Sequence, residues 1–364
     1  MALISVQASA PRRADKAQVR RLRYWQAISE ATVQCMEADP SIFVAGIGVD
    51  DFKGMFGTTR AAFECFGKSR VIDIPNCENA FAGIAIGAAA MGKRPLIVHP
   101  RNDFMFLAMD QLINLAAKWR YMLGNAGGVP VVTRAVVGRG WGQGATHSQS
   151  LQATFGHFPG LHVACPASPA DAKGLLVAAL QGSTPAILLE NRAVYELEGE
   201  VPEALVAVPF GQGRVVREGT DVTIVGASLM AYEASRAADV LAEQGVSAEV
   251  IDPRSIRPLD EDIILGSVAK TGHLVVVDTS WSRYGFSAEV AAVVAEKALD
   301  SLRAPVRRVT PPDCPAPVSK PLEDAFHPTP DSIARACLEL LEGRPPLGRT
   351  ASMGDVQAAF LGPY

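Results

Sequence analysis

Residues 71–92 read VIDIPNCENAFAGIAIGAAAMG, and few architectures can accommodate such a stretch. Val71 to Ile74 is a mostly apolar, β-branched run closed by Pro75, which cannot continue a central ladder, so it predicts a short buried strand. Asn76 stands where a helix N-cap belongs, and Asn79 to Met91 is apolar or small almost throughout. A helix apolar on every side is a buried helix, and this run is too short to cross a bilayer. Gly83 and Gly87 leave a bare stripe along which another backbone can approach. One carboxylate, Glu78, stands at the mouth of this element. Two readings are open for it on the local pattern. A first-turn acid is favoured by the helix dipole, by ~0.3–1 kcal/mol. A carboxylate at the carboxyl end of a parallel strand is also where open α/β sheets place their chemistry.

Strand and helix patterns alternate on either side of this unit. After an aperiodic lead, 1–18, a helix is expected over 21–37, a strand over 42–46 and a Gly/Asp loop, GIGVDDFKGMFGTT. PLIVHP (95–100) reads as a strand ended by proline, followed by a long helix from Phe104 to about Met122. The strand VPVVTRAVV (129–137), the loop GRGWGQGATHSQS (138–150), a short helix and the strand LHVACPA (161–167) come next. Ser168-Pro169 is a strong helix start, a capping oxygen followed by proline at the first helical position, and AILLENR (186–192) is a last strand. Residues 195–214 lose the period and read as a linker. The pattern then repeats on a smaller scale, with strands at 221–228, 247–253, 273–279 and 306–313 and a final amphipathic helix over about 331–341. The expected fold class is α/β, two parallel-sheet domains over 19–194 and 215–342, with a disordered lead and a Pro/Gly-rich tail at 343–364.

A chain of 364 residues with 48% hydrophobic and 20% charged residues can build two substantial cores. Its net charge of −4 is unclustered apart from a basic start, which argues against a nucleic-acid footprint. The N-terminal stretch lacks the apolar core of a secretion signal, and no run of about 18 apolar residues occurs, so a cytoplasmic protein away from the membrane is expected. The six cysteines are scattered without a C-x-x-C pair and read as reduced thiols. Cys77 adjoins Glu78 but lacks a partner motif for a nucleophile.

The glycines of Gly138-Arg-Gly-Trp-Gly-Gln-Gly144 fall at every second position, which does not fit the dinucleotide fingerprint G-x-G-x-x-G. Such a loop lets backbone pass close to a ligand or subunit. It delivers His147, within Thr146-His147-Ser148-Gln149, to a helix start at the same sheet edge as Glu78. A structural and a catalytic role remain open for it on this pattern. His157, His162, His273 and His327 lack such a setting, and no two histidines have metal-ligand spacing.

The runs DIPNCENAFAGIAIGAAAMGKRP, DFMFLAMDQLINLAAKWRYM, GATHSQSLQATFGHFPGLHV and PASPADAKGLL resemble the beta subunits of thiamine-diphosphate-dependent 2-oxo acid dehydrogenases, which are similar to the carboxyl-terminal two thirds of transketolases. GTDVTIVGASLMAYEA, SAEVIDPRSIRPLDEDII and FSAEVAAVVAEKAL look like the family's smaller domain, so the resemblance covers roughly 20–342. It implies a larger pyrimidine-binding domain and a transketolase C-terminal-like domain. It implies that Glu78 hydrogen-bonds the cofactor's aminopyrimidine and supports its imino tautomer by sharing a proton. Asn76 would lie beside the pyrimidine, Phe104 would pack against it, and His147 would transfer protons near the substrate carbon.

In this family a G-D-G motif and an asparagine hold the diphosphate and Mg2+ on the alpha subunit. No G-D-G occurs here, so the resemblance implies half a site, completed by an alpha chain in an α2β2 heterotetramer. Three departures stand out. IVHPRNDF (97–104) replaces an acid-and-glutamine pattern, so His99 and Arg101 are expected to face an anionic substrate. Asn76-Cys77 replaces a more usual Ile-Ser. Gln181-Gly182-Ser183-Thr184 lacks the acid and asparagine that hold potassium in some relatives. The reading is a beta subunit that decarboxylates a 2-oxo acid with its alpha partner and passes the acyl unit on, with a lipoyl acyltransferase as a further partner. The alternatives are one component of a transketolase-like carboligase with a sugar-like substrate, and a non-catalytic assembly subunit.

Overall fold

The computed structural model describes residues 19–341, apart from 52, 126 and 139–141. The expected lead, 1–18, and tail, 343–364, lie outside the described residues. Two sheets organise the rest. The larger has seven strands in the order Ser255–Arg257, His162–Ala164, Ala186–Asn191, Val132–Val137, Arg94–His99, Ile42–Gly46 and Val71–Asp73. All are parallel except Ser255–Arg257, which runs antiparallel to His162–Ala164 and comes from the second half of the chain. The smaller sheet runs Arg307–Val309, Leu274–Val277, Val222–Gly226, Ala248–Asp252 and Arg214–Arg217, antiparallel only at the last. The central strands of both sheets are buried over their whole length because helices cover both faces.

Ser168 caps the helix Pro169–Gln181 as its sequence predicts, its Oγ accepting from Asp171 N at 3.1 Å. Other elements differ from expectation for identifiable reasons. Val71–Asp73 is the outermost strand and not a buried one: Val71 is buried, but Ile72 is 39% exposed, because only Ile42–Gly46 covers one of its sides. The helix Glu78–Ala90 has Cys77 as its N-cap, not Asn76, which is exposed. Its composition predicts burial all round, yet only Glu78, Phe81, Ala82, Ala85, Ile86 and Ala89 are covered, while Ile84 is 64% exposed. In place of one helix over 104–122 there are a 3-10 segment Asn102–Ala108, a π segment Asp110–Ala116 and a single α turn Trp119–Met122. Apolar spacing over two turns does not distinguish these three kinds of helix.

The segment expected as a linker is partly built into the first domain. Glu198–Pro202 pairs antiparallel with Val19–Arg23, and Tyr195 is buried with its ring stacked on Tyr24 at 5.6 Å.

Candidate active site

Parallel strands end at one edge of a sheet, and the turns leaving that edge carry the residues of interest. Glu78 follows Val71–Asp73, Phe104 follows Arg94–His99, and His147 follows Val132–Val137. The helix headed by Glu78 packs against the 3-10 segment that carries Phe104. Phe104 and His147 meet edge to face, with ring centroids 5.1 Å apart. His147 Nδ1 lies 3.0 Å from Thr146 Oγ1, leaving the other ring nitrogen for another partner. Glu78 is buried, at 8% exposure, and among the described residues nothing hydrogen-bonds its carboxylate.

The glycine loop owes its path to the second half of the chain. Gly142 has φ +70° and Gly144 φ +72°, a region that favours glycine. A Cβ on Gly142 would stand 2.6 Å from Val318 O, so the close approach anticipated for this loop is made to this chain's own second domain. Arg101 is buried and turned to the same loop: its guanidinium donates to Gly138 O at 3.2 Å and to Gln143 Oε1. His99 is buried on the strand face it shares with Ile97, toward the layer of Phe81, Ala85 and Ile86. Burial pushes its imidazole down to about 4, so the ring is neutral at neutral pH, and among the described residues its Nε2 has no hydrogen-bond partner. Buried and neutral, His99 does not have the setting of a cation held out to an anionic substrate.

Several residues at this edge went unnoticed in the sequence. Asn102 and Asp103, just before Phe104, reach across to Gln149 and Leu151, just after His147. Gln152 Nε2 donates to Asp278 Oδ1 at 2.6 Å, tying the end of the loop to the second domain, and burial raises the Asp278 carboxyl to about 6. Within the sheet, Arg134 makes a bidentate pair with Glu190 at 2.5 and 2.8 Å, and Tyr195 Oη donates to Glu190 Oε2 at 2.7 Å. The available signal was a pair of short polar side chains in a turn, which bond readily to nearby backbone.

Comparison with known proteins accounts for this arrangement. Residues 20–198 match the transketolase pyrimidine binding domain and residues 211–333 the transketolase C-terminal domain. The chain is 43% identical over 334 residues to the acetoin:2,6-dichlorophenolindophenol oxidoreductase subunit beta of Cupriavidus necator, covering 89% of this chain and 98% of that one. It is 39% identical to the pyruvate dehydrogenase E1 component subunit beta of Rickettsia felis, over 85% of this chain and 95% of the relative. It is also 39% identical to the 2-oxoisovalerate dehydrogenase subunit beta of Bacillus subtilis, over 88% and 99%. A split gene transketolase, solved as an inactive beta4 tetramer, shares the fold with a TM-score of 0.70 at 23% identity, over 88% of this chain and 98% of that one. The chain belongs to the transketolase-like beta subunits of the thiamine-diphosphate-dependent 2-oxo acid dehydrogenases.

Proposed function

We propose that this chain supplies the pyrimidine side of a thiamine-diphosphate site and that an alpha subunit, in an α2β2 assembly, supplies the diphosphate and Mg2+ side. The residues present fit the group. Glu78 has no hydrogen-bond partner among the described residues, and a ring nitrogen is the kind of partner its open carboxyl would take. Glu78 would hold the aminopyrimidine by that hydrogen bond and share its proton. Phe104 would offer an apolar ring to pack against, and Asn76, exposed before the helix, would border the slot. His147 would give or take a proton at the substrate, held close by its contact with Phe104. When bound, the cofactor supplies the carbanion stabilisation that decarboxylation of a 2-oxo acid requires. The acyl unit would then pass to a lipoyl acyltransferase.

The observation that carries this reading is the convergence of an unpartnered Glu78 and the Phe104–His147 pair at one sheet edge. Calorimetric titration tests it. The chain alone should show no micromolar binding of thiamine diphosphate with Mg2+, and addition of its alpha partner should create the site. Micromolar binding by the single chain would sink the half-site.

A further inference from the structure

We propose that Asn102 and Asp103 are positioning residues that hold the His147 loop against Phe104 and so fix where the imidazole stands. The inference rests on the reading of His147 as the proton-handling group of the proposed site. These two residues directly precede Phe104, and their side chains grip the segment that directly follows His147. Asn102 Nδ2 donates to Gln149 O at 3.1 Å, and Asn102 Oδ1 accepts from Leu151 N at 3.1 Å. Asp103 Oδ1 accepts from Gln149 N at 3.3 Å and from Gln149 Nε2 at 2.9 Å. Asn102 Nδ2 also donates to Asp103 Oδ2 at 3.0 Å, so the two side chains orient each other.

The clamp has mechanical reasons to matter. Both side chains are buried, and the Asn102–Leu151 bond is buried too, so removing one partner there leaves the other unsatisfied. Upstream of His147 the backbone passes through left-handed glycines at 142 and 144, which restrain its direction little by themselves. The place of the imidazole is set from both sides, upstream by the loop's contacts with Val318 and Arg101, and downstream by the Asn102–Asp103 grip and, one residue beyond Leu151, by the Gln152–Asp278 bond. Because the gripping residues adjoin Phe104 in sequence, the ring and the imidazole are fixed relative to each other. Proton transfer needs heavy atoms within hydrogen-bond reach, and a misplacement of about 1 Å can cost ~10²-fold in rate.

The test begins with the full chain alone, carrying isotope-labelled histidine. The ring-proton signals of His147, assigned by their loss in His147→Ala, carry the ring-current shift of Phe104. Asp103→Ala should move them toward the position of an unpacked histidine and speed hydrogen exchange at the Gln149 and Leu151 amides. Asp103→Asn, which keeps an acceptor for Gln149, should retain most of the shift. Should Asp103→Ala fold poorly, Gln149→Ala removes the 2.9 Å link from the loop side and is read by the same signals. In the reconstituted complex, Asp103→Ala should lower kcat by ~10-fold to 10²-fold and leave cofactor affinity nearly unchanged. That loss should vanish when His147 is already alanine. Unmoved His147 signals in Asp103→Ala, or a double variant whose loss is the product of the two single losses, would overturn the proposal. Wild-type turnover in His147→Ala alone would instead remove the functional reading of His147, while the ring signals still judge the clamp.

Discussion

Glu78 sits at the first position of its helix, buried, with its carboxylate meeting no hydrogen-bond donor among the described residues. A helix-start acid would gain ~0.3–1 kcal/mol from the dipole, and this would hold as well on an exposed turn. The residue is largely covered, yet its carboxylate oxygens stay open and bond to nothing among the described residues, which leaves them for a ligand. Glu78→Gln should therefore change folding by less than about 1.5 kcal/mol, since glutamine keeps the volume. It should slow exchange of the cofactor's reactive carbon proton into heavy water by ~10²-fold or more in the assembled enzyme, because an amide cannot share a proton. Wild-type-like exchange in a folded, loaded variant would reduce Glu78 to a helix start. His99 shows the opposite outcome at this scale. The departure of IVHPRNDF from the family pattern suggested a substrate contact, but strand alternation places His99 with Ile97 under the helix layer, where burial keeps it neutral.

Elements were legible where one residue type does one physical job. Ser168-Pro169 could only open a helix, and it does so with the cap on Asp171 N. Ser168 Oγ also donates to Asp171 Oδ2 at 2.5 Å, so Ser168→Ala removes a cap and an acid's partner together. Denaturant unfolding should show a loss of ~0.5–2 kcal/mol, with Ser168→Gly recovering much of it, since glycine is tolerated at a cap position at a cost of roughly a few tenths of a kcal/mol. A loss below 0.3 kcal/mol, on the order of experimental scatter, would mean that water replaces both bonds. The same logic shows why the sheet-edge geometry escaped the sequence. An apolar run fixes that Glu78–Ala90 is a helix, but not that Ile84 stays uncovered, because coverage depends on what packs alongside. The grip of Asn102 and Asp103 on Gln149 and Leu151 spans more than 40 residues, and no local period encodes a contact at that separation. Glu78, Phe104 and His147 were named because the resemblance carried them; that their turns leave one edge of the sheet follows from the parallel order of the strands.

At the scale of the whole molecule, the two sheets are locked together by a charged seam. Ser255–Arg257 leaves the second half to extend the first sheet, and Ser228 Oγ donates to Pro166 O at 3.1 Å across the same junction. Beside them Asp171, on a helix of the first domain, faces Arg254 at 2.8 Å and Arg214 at 3.3 Å. Asp252 lies fully buried in this group, with Arg214 at 3.8 Å. Burial, reinforced by the neighbouring charge of Asp171, raises the Asp252 carboxyl to about 7, and the two guanidiniums only partly offset this. An aspartate in the unfolded chain titrates near ~3.9. The folded state thus holds this proton more tightly than the unfolded state does. The stability it contributes is fully present below pH ~4 and is lost as pH rises through about 7, a change of at most ~4 kcal/mol. Asp252→Asn cannot ionise and still offers an oxygen to Arg254 N, the present partner of Asp252 Oδ1 at 2.9 Å. Unfolding free energies of the two proteins, measured in denaturant from pH 4 to pH 8, should differ by an amount that shifts steadily in favour of the asparagine variant and levels off above pH 7. Asp278, raised to about 6, titrates in the same direction in both proteins and cancels from that difference. Parallel curves across the range would mean that Arg214 and Arg254 hold Asp252 ionised throughout, and that the seam is an ion pair network insensitive to pH.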